Sequence, residues 1–295
     1  MKKCCSLFLA FLLFLPALAG AETVVTSFYP VWLLARSLTA GLEDVQVVNL
    51  ADPSAGCLHD YTLRNSDMVK LEGADALLIN GAGMESFLPV ITGARPDLKI
   101  IDATAGLPFL AETDTVQIGE TEEGEAVNAH LWLDPQRAAG MAANLAEGLV
   151  SLFPDRQAAI AQNLEDLQAR FLALDETLRQ GLANPGRKVI IFHEAFPYFA
   201  EACGLPVAAI VNKEPEDDLS SANLSAILKL IAREDPLPLI IKSTETDRAA
   251  EVLVREAGVP VCELDPLTSG PEDPAPDYYE TIMIRNMQAL QEQLP

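Results

Sequence analysis

The segment that follows Pro154 constrains the fold more than any other part of the chain. From Asp155 to Leu182 no proline interrupts the sequence, and the first glycine is Gly181. Its apolar residues recur every three or four positions, the spacing of one buried stripe along an α-helix. They are Ile160, Leu164, Leu167, Phe171, Leu174 and Leu178. A helix of about 27 residues spans about 40 Å, the length of a whole lobe, so we expect a stiff connection between two lobes.

Segments that alternate between strand and helix patterns lie on both sides of this helix. Strands are predicted at 23–28, 45–50, 76–80 and 100–102 before it, and at 188–192, 207–211, 239–241 and 259–264 after it. Such alternation is typical of βα units in a mostly parallel sheet. The predicted fold class is therefore α/β, with two similar lobes, each a mostly parallel sheet flanked by helices. We expect the lobes at 22–153 and 185–295, and one long rigid linking helix at 154–184.

Residues 1–21 have the features of a secretory signal peptide. Lys2 and Lys3 precede an apolar core, Leu7 to Leu15, and small residues suited to cleavage follow. The apolar core is about half of the roughly 20 residues that span a bilayer. We expect this segment to be cleaved, so that the mature protein is exported to a periplasm without direct insertion into the membrane.

Net charge and cysteine content argue against a nucleic-acid-binding protein and against a disulfide-based scaffold. The net charge of -23 disfavours binding to nucleic acid or to an anionic membrane surface. Three cysteines follow the predicted signal peptide, Cys57, Cys203 and Cys262. Because an odd number permits at most one internal disulfide, a disulfide-based scaffold is excluded, and the pairing of these cysteines stays open.

The chain contains only three histidines, and all three lie where an apolar run gives way to polar residues. They are His59, His130 and His193, and Asp265 follows the last predicted strand in the same way. Ligands of such sheets bind beyond the carboxyl ends of the strands. Three imidazoles and one carboxylate make a four-coordinate set that suits zinc, whereas magnesium and calcium prefer oxygen ligands. The residues therefore predict a zinc site assembled from both lobes.

Five segments resemble, in the same order, the motifs of one protein family. They are Thr26–Pro30, His59–Asp67, Ala129–Pro135, His193–Phe199 and Leu264–Leu267. The chain is similar to the zinc- and manganese-binding solute-binding proteins of bacterial ABC importers (ZnuA-like, cluster A-I), from about residue 23 to residue 290. The resemblance implies a helical-backbone metal-receptor fold, in which a rigid helix bridges the lobes and metal binds in the cleft. It implies the ligands His59, His130, His193 and Asp265.

The resemblance also bears on the identity of the metal. Manganese-binding members tend to carry a carboxylate at the position of His193, so the imidazole favours Zn²⁺ as the transported ligand. Manganese or another divalent metal is the alternative. Two departures from the family pattern stand out: an acidic segment, Gly119 to Asn128, replaces the histidine-rich loop of many zinc-binding members, and Lys242 stands where a carboxylate is common. The fourth ligand therefore stays open between Asp265, Cys57 and water.

The predicted function is capture and delivery of zinc, with no catalysis. We expect a monomer that binds zinc and docks on the permease of an ABC transporter in the inner membrane, and that does not bind nucleic acid. A secreted zinc hydrolase is an alternative, because three histidines with an open fourth position are also a catalytic layout. Glu194 is its only general-base candidate close in sequence, and as the neighbour of a predicted ligand it is expected to point away. An adhesin is the third alternative.

Overall fold

The computed structural model of this chain describes residues 22–56, 58, 61–110, 116–119, 127–182, 186–192, 194–212, 220–244 and 248–294. The predicted signal peptide, two predicted ligands (His59 and His193), Cys57 and most of the acidic segment lie outside the described residues. The described ranges contain His130, Asp265 and Lys242.

The N-terminal part of the described chain builds a sheet of four strands. The strands are β1 (Glu22–Thr26), β2 (Val45–Asn49), β3 (Ala76–Ile79) and β4 (Lys99–Asp102). They pair in the order β2-β1-β3-β4, and every pair is parallel. All four strands were predicted from short runs of apolar and β-branched residues, and their bounds agree with the prediction to within two residues.

Three helices accompany this sheet. They are α1 (Tyr29–Leu38), α2 (Asn65–Glu72) and α3 (Leu88–Ala94). Most residues of α1 are buried, because this helix packs between the sheet and the long helices that follow. The sequence did not predict α3, since it is short and contains Pro89 and Gly93, which weaken a helical pattern.

Two long helices come next in the chain. They are α4 (Pro135–Leu152) and α5 (Gln157–Gly181), and single turns of 3-10 helix, Leu131–Leu133 and Pro154–Arg156, precede them. The side chain of Asp134 caps α4 by accepting hydrogen bonds from the backbone N–H groups of residues 136 and 137. The 25 residues of α5 span about 37 Å. Its predicted apolar stripe is buried except at the half-buried Leu164, so the long linking helix is confirmed.

The second sheet contains five strands among the described residues. They are β5 (Val116–Gly119), β6 (Val189–Phe192), β7 (Val207–Asn212), β8 (Leu239–Ser243) and β9 (Val261–Leu264), in the parallel order β5-β7-β6-β8-β9. The helices of this part are α6 (Pro197–Ala202), α7 (Ser221–Ile231), α8 (Arg248–Ala257) and α9 (Tyr278–Gln293). Both faces of β6 are buried, which explains its uninterrupted apolar sequence.

The strand β5 joins a sheet that its position in the chain does not suggest. It lies well before α5, in the segment that the sequence assigned to the first lobe, yet it pairs with β7 at the edge of the second sheet. The chain therefore crosses from the first sheet to the second and back before the long helices begin. This four-residue strand was not predicted, because Gln117 and Gly119 leave no clear apolar alternation.

One apolar core runs without interruption from the first sheet through α4, α5 and α9 to one face of the second sheet. At its centre Phe28 meets Trp132 edge to face, with ring centroids 5.2 Å apart. The rings of Phe171 and Tyr279 lie 4.6 Å apart between α5 and α9. A smaller core covers the other face of the second sheet. Separating the lobes would expose the shared core to water, so the packing favours a rigid molecule.

These features confirm the predicted α/β fold class, with two parallel sheets and a long linking helix. Within the described ranges, no helix combines the length and the hydropathy that a membrane span requires. Cys203 and Cys262 are free, buried thiols. Burial raises the pKa of Cys262 to about 11 and that of Cys203 further, so both thiols resist oxidation and metal binding.

Candidate metal site

His130 lies at the junction between the first sheet and α4. It immediately precedes the 3-10 turn that leads into α4, and its side chain is fully buried. The imidazole packs against the indole of Trp132, with ring centroids 4.9 Å apart. A polar ring in such a place needs hydrogen-bond partners, because an unpaired buried polar group is costly.

The side chain of Asn128 provides one of these partners. Its Oδ1 accepts a hydrogen bond from the backbone N–H of His130 at 2.9 Å and lies 3.0 Å from the ring atom Nδ1. Because a carbonyl oxygen can only accept, this contact requires a proton on Nδ1, which in the neutral imidazole leaves the lone pair on Nε2. Fixing one nitrogen in this way is how proteins orient a histidine whose other nitrogen binds a metal.

Asn128 also joins His130 to the second sheet. Its Nδ2 donates to the main-chain carbonyl of Glu194 at 2.6 Å. Tyr198 at the start of α6 donates its hydroxyl proton to the main-chain carbonyl of Asn128 at 2.8 Å. Burial raises the pKa of Tyr198 to about 12, so this hydroxyl keeps its proton at neutral pH. The backbone around residue 194, which directly follows the predicted ligand His193, is therefore tied to the segment that carries His130.

An ion-pair bridge strengthens the same junction. The guanidinium of Arg137, near the start of α4, lies 2.6 Å from carboxylate oxygens of both Asp134 and Glu201. It also stacks over the ring of Tyr198, 4.8 Å from the centroid. Arg137 is 15% exposed and Asp134 5% exposed, so their ion pair is screened less than a surface pair, whereas Glu201, the partner in α6, is 52% exposed and its pair is partly screened by solvent.

The indole of Trp132 links the His130 segment to the segment that carries Asp265. Its Nε1 donates to the carbonyl of Pro266 at 2.9 Å. The hydroxyl of Tyr279, in α9, donates to the carbonyl of Trp132 at 2.5 Å. The structure thus brings the His130 and Asp265 segments together, although 134 positions of sequence separate the two bonded residues.

Asp265 follows β9, and both of its carboxylate oxygens have partners. Oδ1 accepts from the backbone N–H of Leu267 at 2.8 Å, and Oδ2 lies 2.7 Å from Nη2 of Arg285. The backbone of Asp265 is held at both its N–H and its carbonyl by the side chain of Asn286. Because a carboxylate has about four lone-pair positions, two partners leave room for a metal. The exposed Arg285 would compete with that metal for negative charge.

Lys242 lies on β8 opposite Glu263 of β9, its partner in the register. Its Nζ is 2.8 Å from Oε1 of Glu263, and the lysine side chain is largely buried. The carboxylate of Glu263 therefore balances the positive charge of Lys242.

Of the four predicted ligands, the structure describes His130 and Asp265. No group of three or more histidine, cysteine, aspartate or glutamate side chains converges among the described residues. Because His59 and His193 lie outside those residues, the complete ligand set stays a prediction.

Two residues near His130 were not assigned a role from the sequence. Asn128 has a local signal in the sequence, because an asparagine side chain often accepts a hydrogen bond from the backbone N–H two residues later, here that of His130, in an Asx turn. Asn80, at the end of β3, donates from its side chain to the carbonyl of Ala129 at 3.0 Å. This contact has no sequence signal, because 49 positions separate the two residues.

Curated relatives of the chain include a protein named for zinc binding and a protein named for zinc uptake. It is 26% identical over 283 residues to the zinc-binding lipoprotein AdcA of Streptococcus pneumoniae serotype 4, a match that covers 92% of this chain and 56% of AdcA. It is 26% identical over 276 residues to the high-affinity zinc uptake system protein ZnuA of Haemophilus ducreyi, a match that covers 85% of this chain and 88% of ZnuA. The chain thus spans little more than half the length of AdcA.

Solved structures share the fold. FpvC of Pseudomonas aeruginosa in complex with Mn²⁺ superposes with a TM-score of 0.79 at 23% identity, covering 92% of this chain and 99% of FpvC. At that identity the likeness shows the fold alone.

A family model spans nearly the whole described chain. The model described as zinc-uptake complex component A, periplasmic, matches residues 24–293. That range contains the second sheet, all of the first sheet except the first two residues of β1, the linking helix and all four predicted ligands. The chain therefore belongs to the family of periplasmic component A of zinc-uptake complexes.

Proposed function

We propose that this protein is a periplasmic solute-binding protein, which captures Zn²⁺ between its two lobes and delivers it to the permease of an ABC importer. In this proposal the lobes comprise residues 22–153 and 185–295, except that the strand β5 of the first range pairs with the second sheet, and a linking helix lies at 154–184. The ligands are His59, His130, His193 and Asp265. The signal peptide, residues 1–21, is removed on export, and the mature protein acts as a monomer.

The observation that carries this proposal is the double attachment of Asn128. One side chain orients the imidazole of His130 and also bonds the backbone of Glu194, next to the predicted ligand His193. The second link, from the Trp132 indole to Pro266, places the Asp265 segment against the His130 segment. Such a junction suits a metal that is bound by both lobes, since the two described ligands, His130 and Asp265, are already held by hydrogen bonds before the metal binds.

The nature of the ligands supports zinc over manganese. Imidazole nitrogen suits zinc, whereas manganese sites favour carboxylate and water oxygen. In the proposed set only Asp265 supplies oxygen, and Arg285 neutralises part of its charge. Manganese, which prefers oxygen ligands, would therefore bind to this set of ligands less tightly than zinc. The curated relatives, one named for zinc binding and one for zinc uptake, support the same choice.

Titration calorimetry with zinc and with manganese tests the proposal on the mature protein. We expect tight zinc binding with one ion per chain, weaker manganese binding, and loss of most zinc affinity in His130→Ala and His193→Ala. Asp265→Asn should weaken binding, whereas Asp273→Asn, which removes another carboxylate paired with an arginine, should not. A wild-type protein that binds no zinc, or a His130→Ala variant with undiminished affinity, would contradict the proposal.

A further inference from the structure

A buried carboxylate closes the end of β3 in the first sheet. Glu85 is almost fully buried, and its two oxygens accept hydrogen bonds from consecutive backbone N–H groups. Oε1 accepts from Asn80 at 2.7 Å, and Oε2 accepts from Gly81 at 3.0 Å. The carboxylate therefore fixes the direction in which the backbone leaves the strand.

The turn that brings Glu85 back to the strand has an uncommon backbone. Gly81, Ala82 and Gly83 all have φ between +54° and +87°, in the left-handed region that favours glycine. A Cβ atom on residue 81 would lie 2.0 Å from Oδ1 of Asp102, so this position accepts only glycine. The turn is thus confined on one side by the hydrogen bonds to Glu85 and on the other by Asp102 at the end of β4.

The rigid strand end aims the side chain of Asn80 at the His130 segment. Asn80 is fully buried, and its Nδ2 donates to the carbonyl of Gly81 at 3.1 Å and to that of Ala129 at 3.0 Å. The carbonyl of Ala129 belongs to the peptide unit that joins Ala129 to His130. Fixing that carbonyl limits rotation of the peptide plane and hence the direction of the His130 side chain.

We propose that Asn80, held by Glu85, is a positioning residue for metal binding, which aims the His130 imidazole by fixing the peptide unit before it. Asn128 holds His130 from the side of the second sheet, because its Oδ1 contacts both the imidazole and the backbone N–H of His130. His130 is therefore held from both sheets, and the two attachments act on different atoms. The inference rests on the proposed function, because it assumes that His130 binds the captured metal.

Paired substitutions separate positioning from stability. Asn80→Ala removes the amide donor, and Asn80→Asp puts an oxygen against the Ala129 carbonyl. Asn163 on α5 is a matched control, because its amide also donates to two main-chain carbonyls, those of Leu38 and Ala40. The four variants, Asn80→Ala, Asn80→Asp, Asn163→Ala and Asn163→Asp, are compared with wild type in the mature protein. The measurements are urea unfolding, zinc affinity in competition with a chelator, and the visible absorption spectrum with Co²⁺ as a probe of coordination geometry.

We expect both sets of variants to unfold at lower urea concentration than wild type. Only the Asn80 variants should lose about 10- to 100-fold in zinc affinity, which is typical when a support of a metal ligand is removed, and change the Co²⁺ spectrum. Asn80→Ala carries the test if Asn80→Asp does not fold. A folded Asn80→Ala protein with wild-type zinc affinity and Co²⁺ spectrum overturns the inference and leaves the proposed function standing. A wild-type protein that binds neither ion overturns both.

Discussion

The side chain of Asn128 offers the sharpest test of the proposed site. Replacing it with alanine removes three interactions at once: those with the N–H of His130, with Nδ1 of His130 and with the carbonyl of Glu194. Each hydrogen bond contributes about 0.5–1.5 kcal/mol, so the free energy of unfolding should fall by about 2–4 kcal/mol. The bond from Tyr198 to the main-chain carbonyl of Asn128 is retained.

Zinc affinity should fall further than a general loss of stability explains. Without Asn128 the imidazole loses the acceptor that favours a proton on Nδ1, so part of the population can carry the proton on Nε2 and does not present a lone pair there to the metal. Loss of such a partner typically costs 10- to 100-fold in metal affinity, about 1.4–2.7 kcal/mol. Calorimetric titration of the Asn128→Ala protein against a competing chelator measures this loss.

The substitution Asn128→Asp separates the two roles of the side chain. An aspartate keeps an acceptor for the Nδ1 proton and strengthens that bond by its charge. Its second oxygen faces the carbonyl of Glu194, so the attachment to the second sheet is lost. We therefore expect Asn128→Asp to bind zinc better than Asn128→Ala while remaining less stable than wild type. The control Asn163→Ala should lose stability without losing affinity. If Asn128→Ala binds zinc as tightly as wild type does, Asn128 does not orient a metal ligand.

Two further predictions concern stability. Burial raises the pKa of Glu85 to about 7 from an ordinary 4.5, and the nearby carboxylate of Asp102 adds to the rise, while hydrogen bonds to the Glu85 carboxylate oppose it. Between pH 4.5 and pH 7 the folded protein therefore binds more protons than the unfolded chain, so Glu85 lowers stability as pH rises, by about 3 kcal/mol in total. Glu85→Gln should remove this pH dependence. In urea unfolding the variant should therefore lose more stability relative to wild type at pH 5 than at pH 8. Equal losses of stability at the two pH values would contradict the prediction. Gly270→Ala should destabilise by about 1–3 kcal/mol, because the new Cβ would lie 2.4 Å from the hydroxyl oxygen of Tyr29. Gly73→Ala, which meets nothing within 4 Å, is its control in thermal unfolding, and an equal effect of the two would refute the steric reason.

Local pattern was enough to predict most of the secondary structure. The stripe along α5 follows from the helical repeat of 3.6 residues, so each buried position is set by its near neighbours in sequence. The strands β3 and β6 are marked by short apolar runs, because both of their faces are buried in a parallel sheet. The place of His130 shortly before α4 also followed from sequence.

Pairing between distant segments was decided only by the tertiary structure. The strand β5 joins the second sheet although it precedes both long helices, because edge pairing depends on which backbone N–H and C=O groups are within reach in the folded chain. The contact between Asn128 and Glu194 spans 66 positions. A polar side chain accepts or donates wherever the fold places a partner, and no periodicity in the sequence encodes that choice.

The predicted metal ligands show the same division. The sequence by itself determined which residue types are available, three histidines and a carboxylate that follows a predicted strand, and hence the chemistry that suits zinc. Only the tertiary structure revealed that Asp265 is paired with Arg285, that Asn80 donates to the carbonyl of Ala129 and that Asn128 contacts the His130 ring. Ligand identity is a property of single residues, whereas orientation depends on contacts between segments that meet only when the chain has folded.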